Sequence, residues 1–248
     1  MTQKDNNFYF QFRKSLDLEW EVVSLEEEKE LLLKQLKDSN HTCKDTLWKL
    51  GRVYSFMKRQ DDALNCIYRL MQLSDDTEEN ACYFLALGQL MEQKGDYQGA
   101  LQYYRGAFCL KPSQSYVWYL INNNLGFCLN ELKRYNEAEP YLLAAIKIDP
   151  TRPNAFKNLG LCFMGRGDYI KATEKFIESI KTDASDPRSL GHLEKIVLGH
   201  PELFEKIADL PRLLMQCRKA VEVAQEFQPD YEKYATKLKS QQKGIVEH

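Results

Sequence analysis

Apolar residues between positions 44 and 186 recur three and four apart, the spacing of a helix buried along one face. A longer period is superimposed on that pattern. LALG at 85–88, NNLG at 123–126 and KNLG at 157–160 are versions of one phrase, with LWKLG at 47–51 a fainter copy. Twelve residues after each glycine stands an alanine: Ala63, Ala100, Ala138 and Ala172. Four residues after each alanine comes a large apolar side chain: Ile67, Tyr104, Leu142 and Phe176. The glycines are 37, 38 and 34 residues apart. Self-similarity at this period predicts an array of helix–turn–helix units, in which each unit buries its apolar face against its neighbour.

Each recurring residue has a mechanical role in that reading. Gly88 marks the crossing of a second helix whose backbone leaves no room for a side chain. Ala100 is the matching contact, where only a methyl fits. Leu87, Leu125 and Leu159 fill the seam within each pair. GDY at 95–97 and 167–169 makes the turn: the glycine suits the left-handed conformation that ends one helix, and the aspartate caps the next. Prolines in KPS at 111–113 and DPT at 149–151 stop the second helix. The first copy lacks the turn glycine, with Lys58 where GDY would begin. The spacing of 38 residues between Gly88 and Gly126 exceeds the ~34-residue unit by about one helical turn. The first helix of the third copy is therefore predicted to start early, near Ser115, with Tyr116, Val117 and Trp118 in the extension.

The flanks carry helical patterns too. SLEE at 24–27 reads as a capping box that opens a helix to about Lys37, with Leu25, Leu32, Leu33 and Leu36 on one face and Glu26, Glu28 and Lys29 away from it. In SDDTEEN at 74–80 the acids have the wrong spacing for a calcium loop. Thr77 reads as the cap of the next helix, with acids at its positive end. Asp186 and Pro187 open a helix through about Leu198. Pro201 and Pro211 start two more, the last carrying Leu213, Leu214, Cys217, Val221 and Ala224 at helical spacing. The polar stretch at 231–248 is expected to fray. Near the amino terminus Phe8, Tyr9, Phe10 and Phe12 form an aromatic cluster, suited to a lid on the array or to a groove in this chain or a neighbouring one; the alternative is a poorly ordered tail.

GDYQGALQYYRGAFCLKP at 95–112 resembles the second half of the tetratricopeptide repeat (TPR) consensus almost position by position. With the glycine phrases, the resemblance extends over 44–186, more than half of the chain. It implies an all-α fold: an α-solenoid of stacked TPR helix–turn–helix hairpins with N-terminal and C-terminal capping helices. The divisions expected are an aromatic segment and capping helix at 1–43, repeats at 44–77, 81–114, 119–152 and 153–186, capping helices at 187–230 and a polar tail at 231–248. In such an array the first helices line the concave face. At about 100° per residue, positions two before and two after the repeat leucine point away from the seam. The expected groove lining is therefore Trp48 and Arg52, Leu85 and Gln89, Asn123 and Phe127, and Lys157 and Leu161. Lys49, Ala86, Asn124 and Asn158 lie one step further round. The resemblance implies that this groove holds an extended peptide or a helix of a partner, and that Asn124 and Asn158 match positions that bond a ligand's backbone in many family members. One subfamily grips acidic chaperone carboxyl termini with a lysine–asparagine clamp. The windows here, Trp48, Arg52 and Ala86, then Leu85, Gln89 and Asn124, do not supply it. The mixture of aromatic, aliphatic and amide groups favours an amphipathic segment.

Composition narrows the function classes. The 248 residues, 44% hydrophobic and 28% charged, suffice for a substantial core. A net charge of −2 lacks the basic excess that nucleic-acid binding wants. No apolar run approaches the ~20 residues of a membrane span, and MTQKDNNFYFQF lacks the features of a signal peptide, so a soluble cytoplasmic protein is expected. Seven scattered cysteines fit a reducing compartment. Cys128 and Cys162, each two residues after a repeat glycine, read as small apolar residues of the seam. His41, His192, His200 and His248 form no HExxH, and there is no P-loop, dinucleotide fingerprint or Gly-x-Ser-x-Gly elbow. No catalytic residue, cofactor or metal is expected. The sequence reads as a non-enzymatic protein–protein interaction module: an adaptor, scaffold or dedicated chaperone. The alternative is a self-assembling structural module, a homo-oligomer joined through the leucine helix at 25–36 or the aromatic segment at 8–12.

Overall fold

The computed structural model describes residues 22–243, and the side chains of residues 25–226. The aromatic segment at 8–12 lies outside the described residues. Twelve α-helices and no strand occur among the described residues: α1 Val22–Asp38, α2 Lys44–Phe56, α3 Gln60–Gln72, α4 Thr77–Gln93, α5 Tyr97–Cys109, α6 Ser115–Glu131, α7 Tyr135–Ile148, α8 Pro153–Gly165, α9 Tyr169–Thr182, α10 Arg188–Gly199, α11 Leu203–Lys206 and α12 Leu210–Lys243. The protein is all-α, of the α-solenoid class, with helices packing against their neighbours in sequence. It forms two compact units, Met1–Val117 and Trp118–His248, divided within α6.

The glycine phrase works by admitting a side chain rather than a backbone. A Cβ at Gly88 would clash with the Tyr104 ring, one at Gly126 with the Leu142 side chain, and one at Gly160 would lie 2.8 Å from Phe176. These are the large residues that follow each repeat alanine by four. Each is fully buried, so the glycine of one helix is the notch that receives the knob of the next. Only at the first, fainter copy does the second helix approach as predicted: a Cβ at Gly51 would meet the Cβ of Cys66 at 3.2 Å and the Ala63 carbonyl at 3.7 Å. The alanines Ala63, Ala100, Ala138 and Ala172 are completely buried, as are Leu87, Leu125 and Leu159.

All four turns between paired helices share one geometry, whatever residue occupies them. A backbone N–H reaches back five residues in each: Arg59 to Tyr54 (2.8 Å), Asp96 to Met91 (2.9 Å), Arg134 to Leu129 (2.8 Å) and Asp168 to Phe163 (2.9 Å). The preceding residue is left-handed, with φ of 58° at Lys58, 76° at Gly95, 59° at Lys133 and 78° at Gly167. This is the Schellman arrangement, which satisfies the last carbonyls of a helix. Gly95 and Gly167 adopt it freely, whereas the two lysines bear a cost of about 1 kcal/mol for a Cβ in that region. Asp96 and Asp168 then cap α5 and α9, accepting from the N–H of Gly99 (2.8 Å) and Lys171 (3.2 Å). In the other two turns an arginine takes the cap position and pairs with an acid three residues on, Arg59 with Asp62 and Arg134 with Glu137.

Four local expectations are corrected. Ser24 lies inside α1, which already includes Val22, so SLEE does not begin the helix. Lys29 is buried on the leucine face, because it follows Leu25 by four residues and so lies directly above it. Its ammonium pairs with Glu26 and Glu30. Asp76, not Thr77, caps α4, accepting from the N–H of Glu79 at 2.9 Å. The stretch expected to fray from residue 231 continues α12 to Lys243. Alanine, leucine, lysine and glutamine dominate its end, with no glycine or proline between Pro229 and Gly244. The first helix of the third copy does begin at Ser115. Beyond the repeats, α10, α11 and α12 pack on α9 and bury Leu193, Ile196, Leu210, Leu214, Cys217 and Val221.

Two sets of substitutions check these mechanics. Gly88→Ala and Gly126→Ala are expected to destabilise by about 1–3 kcal/mol, while Gly191→Ala, with nothing within 4 Å of its Cβ, stabilises α10 by about 0.5–1 kcal/mol. Lys58→Gly and Lys133→Gly are expected to gain about 0.5–1 kcal/mol, and Gly95→Ala to lose a similar amount. Urea denaturation followed by circular dichroism reads both sets. A Gly88→Ala protein as stable as the parent contradicts the notch.

Candidate functional site

The first helices of the repeats, α2, α4, α6 and α8, carry the residues expected to line a groove. Positions two after the repeat leucine behave uniformly: Arg52, Gln89, Phe127 and Leu161 are all partly exposed. Positions two before it do not. Trp48 is partly exposed, but Leu85 is 0%, Asn123 1% and Lys157 8% exposed. One step round, Asn124 and Asn158 are buried as well, as is Ala86, and only Lys49 is exposed. Five of the ten expected lining residues, Leu85, Asn123, Asn124, Lys157 and Asn158, therefore do not form an open surface.

Their neighbours explain the burial. The Asn158 amide donates to Asn123 Oδ1 at 3.0 Å, tying α8 to α6, and Asn123 donates to Asn124 Oδ1 at 3.0 Å. Asn130 Nδ2 donates to the Asn158 carbonyl at 2.7 Å. Of the two amides expected to bind a ligand's backbone, Asn158 thus joins α8 to α6, while Asn124 accepts from Asn123 on its own helix. Lys157 is held by Asp186, immediately before α10, at 2.8 Å. Each side chain two before the leucine leans toward its helix's N-terminus, and in the second unit it meets a partner from the next element of the stack.

In the first unit, Trp48 stacks at a tilt on Tyr83, with ring centroids 5.8 Å apart. Trp48, Gly51, Arg52, Ala86 and Leu90 surround a small apolar hollow of about 10 Å³. Burial pushes the Arg52 guanidinium pKa down, partly offset by the nearby Glu28 of α1. Gln89 keeps a buried Oε1 with no hydrogen-bond partner among the described residues.

Asp186 was absent from the expected lining. The DP dipeptide at 149–150 and again at 186–187 is the signal that marks it. Burial alone would raise its carboxyl pKa, but hydrogen bonds from Arg188 and Lys157 hold it well below the usual carboxylate range. Burial pushes the thiols of Cys66, Cys82 and Cys162 up to about 11, as suits apolar packing residues. At Cys43 the Thr46 hydroxyl and nearby backbone N–H groups lower the thiol instead. No group of three His, Cys, Asp or Glu side chains is placed to hold a metal ion among the described residues. None of the described helices is long and apolar enough to cross a membrane.

A stack of helix pairs closed by glycine notches, with one partly exposed position repeated in every first helix, is a helical-hairpin repeat scaffold. The tetratricopeptide repeat family model matches residues 119–152. Among solved structures, YrrB, described as a TPR protein with an unusual peptide-binding site, is similar with a TM-score of 0.52 and 18% identity, over 84% of this chain and 99% of that one. PilF of Pseudomonas aeruginosa is similar with a TM-score of 0.56 and 22% identity, over 73% and 76%. Residues 119–152 thus match a tetratricopeptide repeat, and the chain shares the fold of solved TPR proteins. Response regulator aspartate phosphatase I of Bacillus subtilis (strain 168) is 27% identical over 117 residues, 44% of this chain and 29% of that protein. The match thus spans less than a third of the length of the curated relative.

Asp186→Asn tests the link between α8 and α10. Because the native carboxyl pKa is depressed, its stabilising effect is present at neutral pH and fades as pH falls below the unfolded value of about 4. The variant is expected to lose about 1–3 kcal/mol at pH 7, and the gap to the parent should narrow steadily toward pH 2–3. Denaturant melts over pH 2–7 measure it. A gap that stays constant with pH rules out the charge as the source.

Proposed function

We propose that this protein is a non-enzymatic interaction module that captures a segment of a partner protein on the first-helix faces of its repeats. The observation that carries the reading is the uniform, partial exposure of Arg52, Gln89, Phe127 and Leu161, with Trp48 beside Arg52. Within each unit, stacked repeats present such positions side by side, Arg52 and Gln89 in the first and Phe127 and Leu161 in the second. In the first unit the Trp48 ring gives an apolar anchor while the Gln89 amide and the Arg52 guanidinium fix register, a combination that fits an amphipathic peptide or helix; in the second, Phe127 and Leu161 give apolar anchors. Asn123, Asn124 and Asn158 serve the stack and not the ligand. An adaptor, a scaffold and a dedicated chaperone all use a surface of this kind.

Two relatives bear on the choice. YrrB is described as having a peptide-binding site, which supports a peptide as the class of ligand. The Bacillus relative is named for a phosphatase activity directed at response regulators. This chain matches only 29% of it, and within 44–186 the glycines, alanines and leucines of the repeats account for the recurring pattern, so a regulatory partner is a closer analogy than a shared reaction. A cytoplasmic setting agrees with the thiol-rich composition.

Affinity capture from the source cell, with wild type and a Gln89→Ala/Phe127→Ala double variant, tests the reading. Both side chains are partly exposed, so the variant should retain helicity and stay within about 1 kcal/mol of the parent in stability. Partner recovery is expected to fall about tenfold or more. Equal recovery by a folded double variant refutes binding at this face.

A further inference from the structure

Helix α10 repeats the in-and-out pattern of α6 and α8 at a period of 34 residues. Ile121, Ala155 and Ser189 are buried, as are Leu125, Leu159 and Leu193, and Cys128, Cys162 and Ile196. Phe127, Leu161 and Lys195 share a matching position that stays open, partly exposed in α6 and α8 and exposed in α10. We propose that α10 is a further first helix, and that the face of the second unit takes an extended partner segment with large apolar residues over Phe127 and Leu161 and an acidic residue over Lys195. This rests on the reading of the first-helix faces as binding surfaces and adds the chemistry of the ligand.

The three helices are joined in order. Asn158 of α8 donates to Asn123 of α6 at 3.0 Å, and Lys157 of α8 donates to Asp186, immediately before α10, at 2.8 Å. In α10 the place of Asn124 and Asn158 is taken by His192, whose ring stacks on Phe176 of α9 at 5.3 Å. The glycine position departs from the pattern. Glu194 stands where Gly126 and Gly160 receive their knobs, and it pairs instead with Arg218 of α12 at 2.6 Å.

Charge sets the α10 end of the face apart. Burial, then the positive charges of Lys157 and Lys195, push the His192 pKa down against the pull of Asp186, so cations of α8 and α10 both lie close to this ring. Asp186 is shared between Lys157 and Arg188. Lys195 is exposed, and no ion pair among the described residues engages it. One acid against three cations leaves this end positive, which selects a carboxylate in a ligand. There is also room for it. Gly191 takes the place of Asn123 and Lys157, one turn before Lys195, and a Cβ there would meet nothing within 4 Å. Neighbouring helices about 10 Å apart put Lys195 roughly 20 Å from Phe127, a span that an extended segment crosses in about six residues. Apolar contact at Phe127 and Leu161 supplies most of the affinity, and the carboxylate at Lys195 fixes which way the segment runs.

The test selects peptides from a phage-displayed library of random 12-mers on the full-length protein, then measures the affinity of the selected peptides, fluorescein-labelled, by anisotropy. They are expected to combine large apolar residues with a Glu or Asp about five or six residues along. Phe127→Ala should weaken their binding about tenfold. Lys195→Glu should do the same, because attraction becomes repulsion, and replacing the peptide's acid by lysine should restore binding to that variant. Lys195 is exposed, so the variant should keep parental helicity. Selected peptides without an acid, equal affinity for wild type and Lys195→Glu, or a library that yields no binder each overturn the proposal. Partner capture separates this from the functional reading. If capture depends on Gln89 and Phe127 while the peptides ignore Lys195, only the ligand chemistry falls. If the peptides depend on Phe127 and Lys195 but capture is indifferent to Gln89 and Phe127, only the partner reading falls.

Discussion

A large side chain of one helix lies in the gap left by a missing Cβ on its partner, and the rest of this protein depends on that contact. Tyr104 on Gly88, Leu142 on Gly126 and Phe176 on Gly160 are the same contact made with three different side chains. The glycine sets how closely the two helices approach, and the buried alanine a turn before the large residue keeps the same distance along the pair. Variation in the knob, from phenol to isobutyl to phenyl, is absorbed because the notch has no side chain of its own to rearrange. Phe176 also stacks on His192 of α10 at 5.3 Å, so the last of these contacts carries over into the helices that close the array.

Close packing inside each pair leaves the joints between pairs to other residues, and in the second unit those joints are polar. Asn123, Asn124, Asn158, Lys157 and Asp186 form links between α6, α8 and the start of α10. Buried amides and charges need partners to offset their desolvation; Asn123, Asn158 and Lys157 find theirs on a neighbouring element, and Asn124 accepts from Asn123. Such bonds favour one register between neighbouring helices over others, which a purely apolar joint would do less strictly. In the second unit the positions before the leucine are drawn into the stack, and those two after it stay partly exposed.

Turn geometry shows how far local chemistry can vary beneath a fixed fold. The four Schellman turns have the same hydrogen bonds, yet two use a glycine with a capping aspartate and two use a left-handed lysine followed by an arginine. Packing within each pair stabilises the turn enough to carry the strained lysines. Sequence inspection finds the first kind at once and finds the second only from its position in the period.

The sequence by itself determined the fold class, the helix pairs and the residues of their seams, because the period is written in glycine, alanine and leucine at fixed separations and each has a single mechanical use there. It also determined the early start of α6, since four inserted residues are close to one helical turn. The tertiary structure decided which of the outward positions remain available. Asn123, Asn158 and Lys157 lie at the helical angle expected of a groove lining, but angle alone does not say how near the following helix will come. That distance follows from packing between successive pairs, and it brings Asn158 within 3.0 Å of Asn123 and Asp186 within 2.8 Å of Lys157. The residues that satisfy a buried amide or ammonium are 29 and 35 positions away along the chain, a separation over which no local pattern specifies a partner.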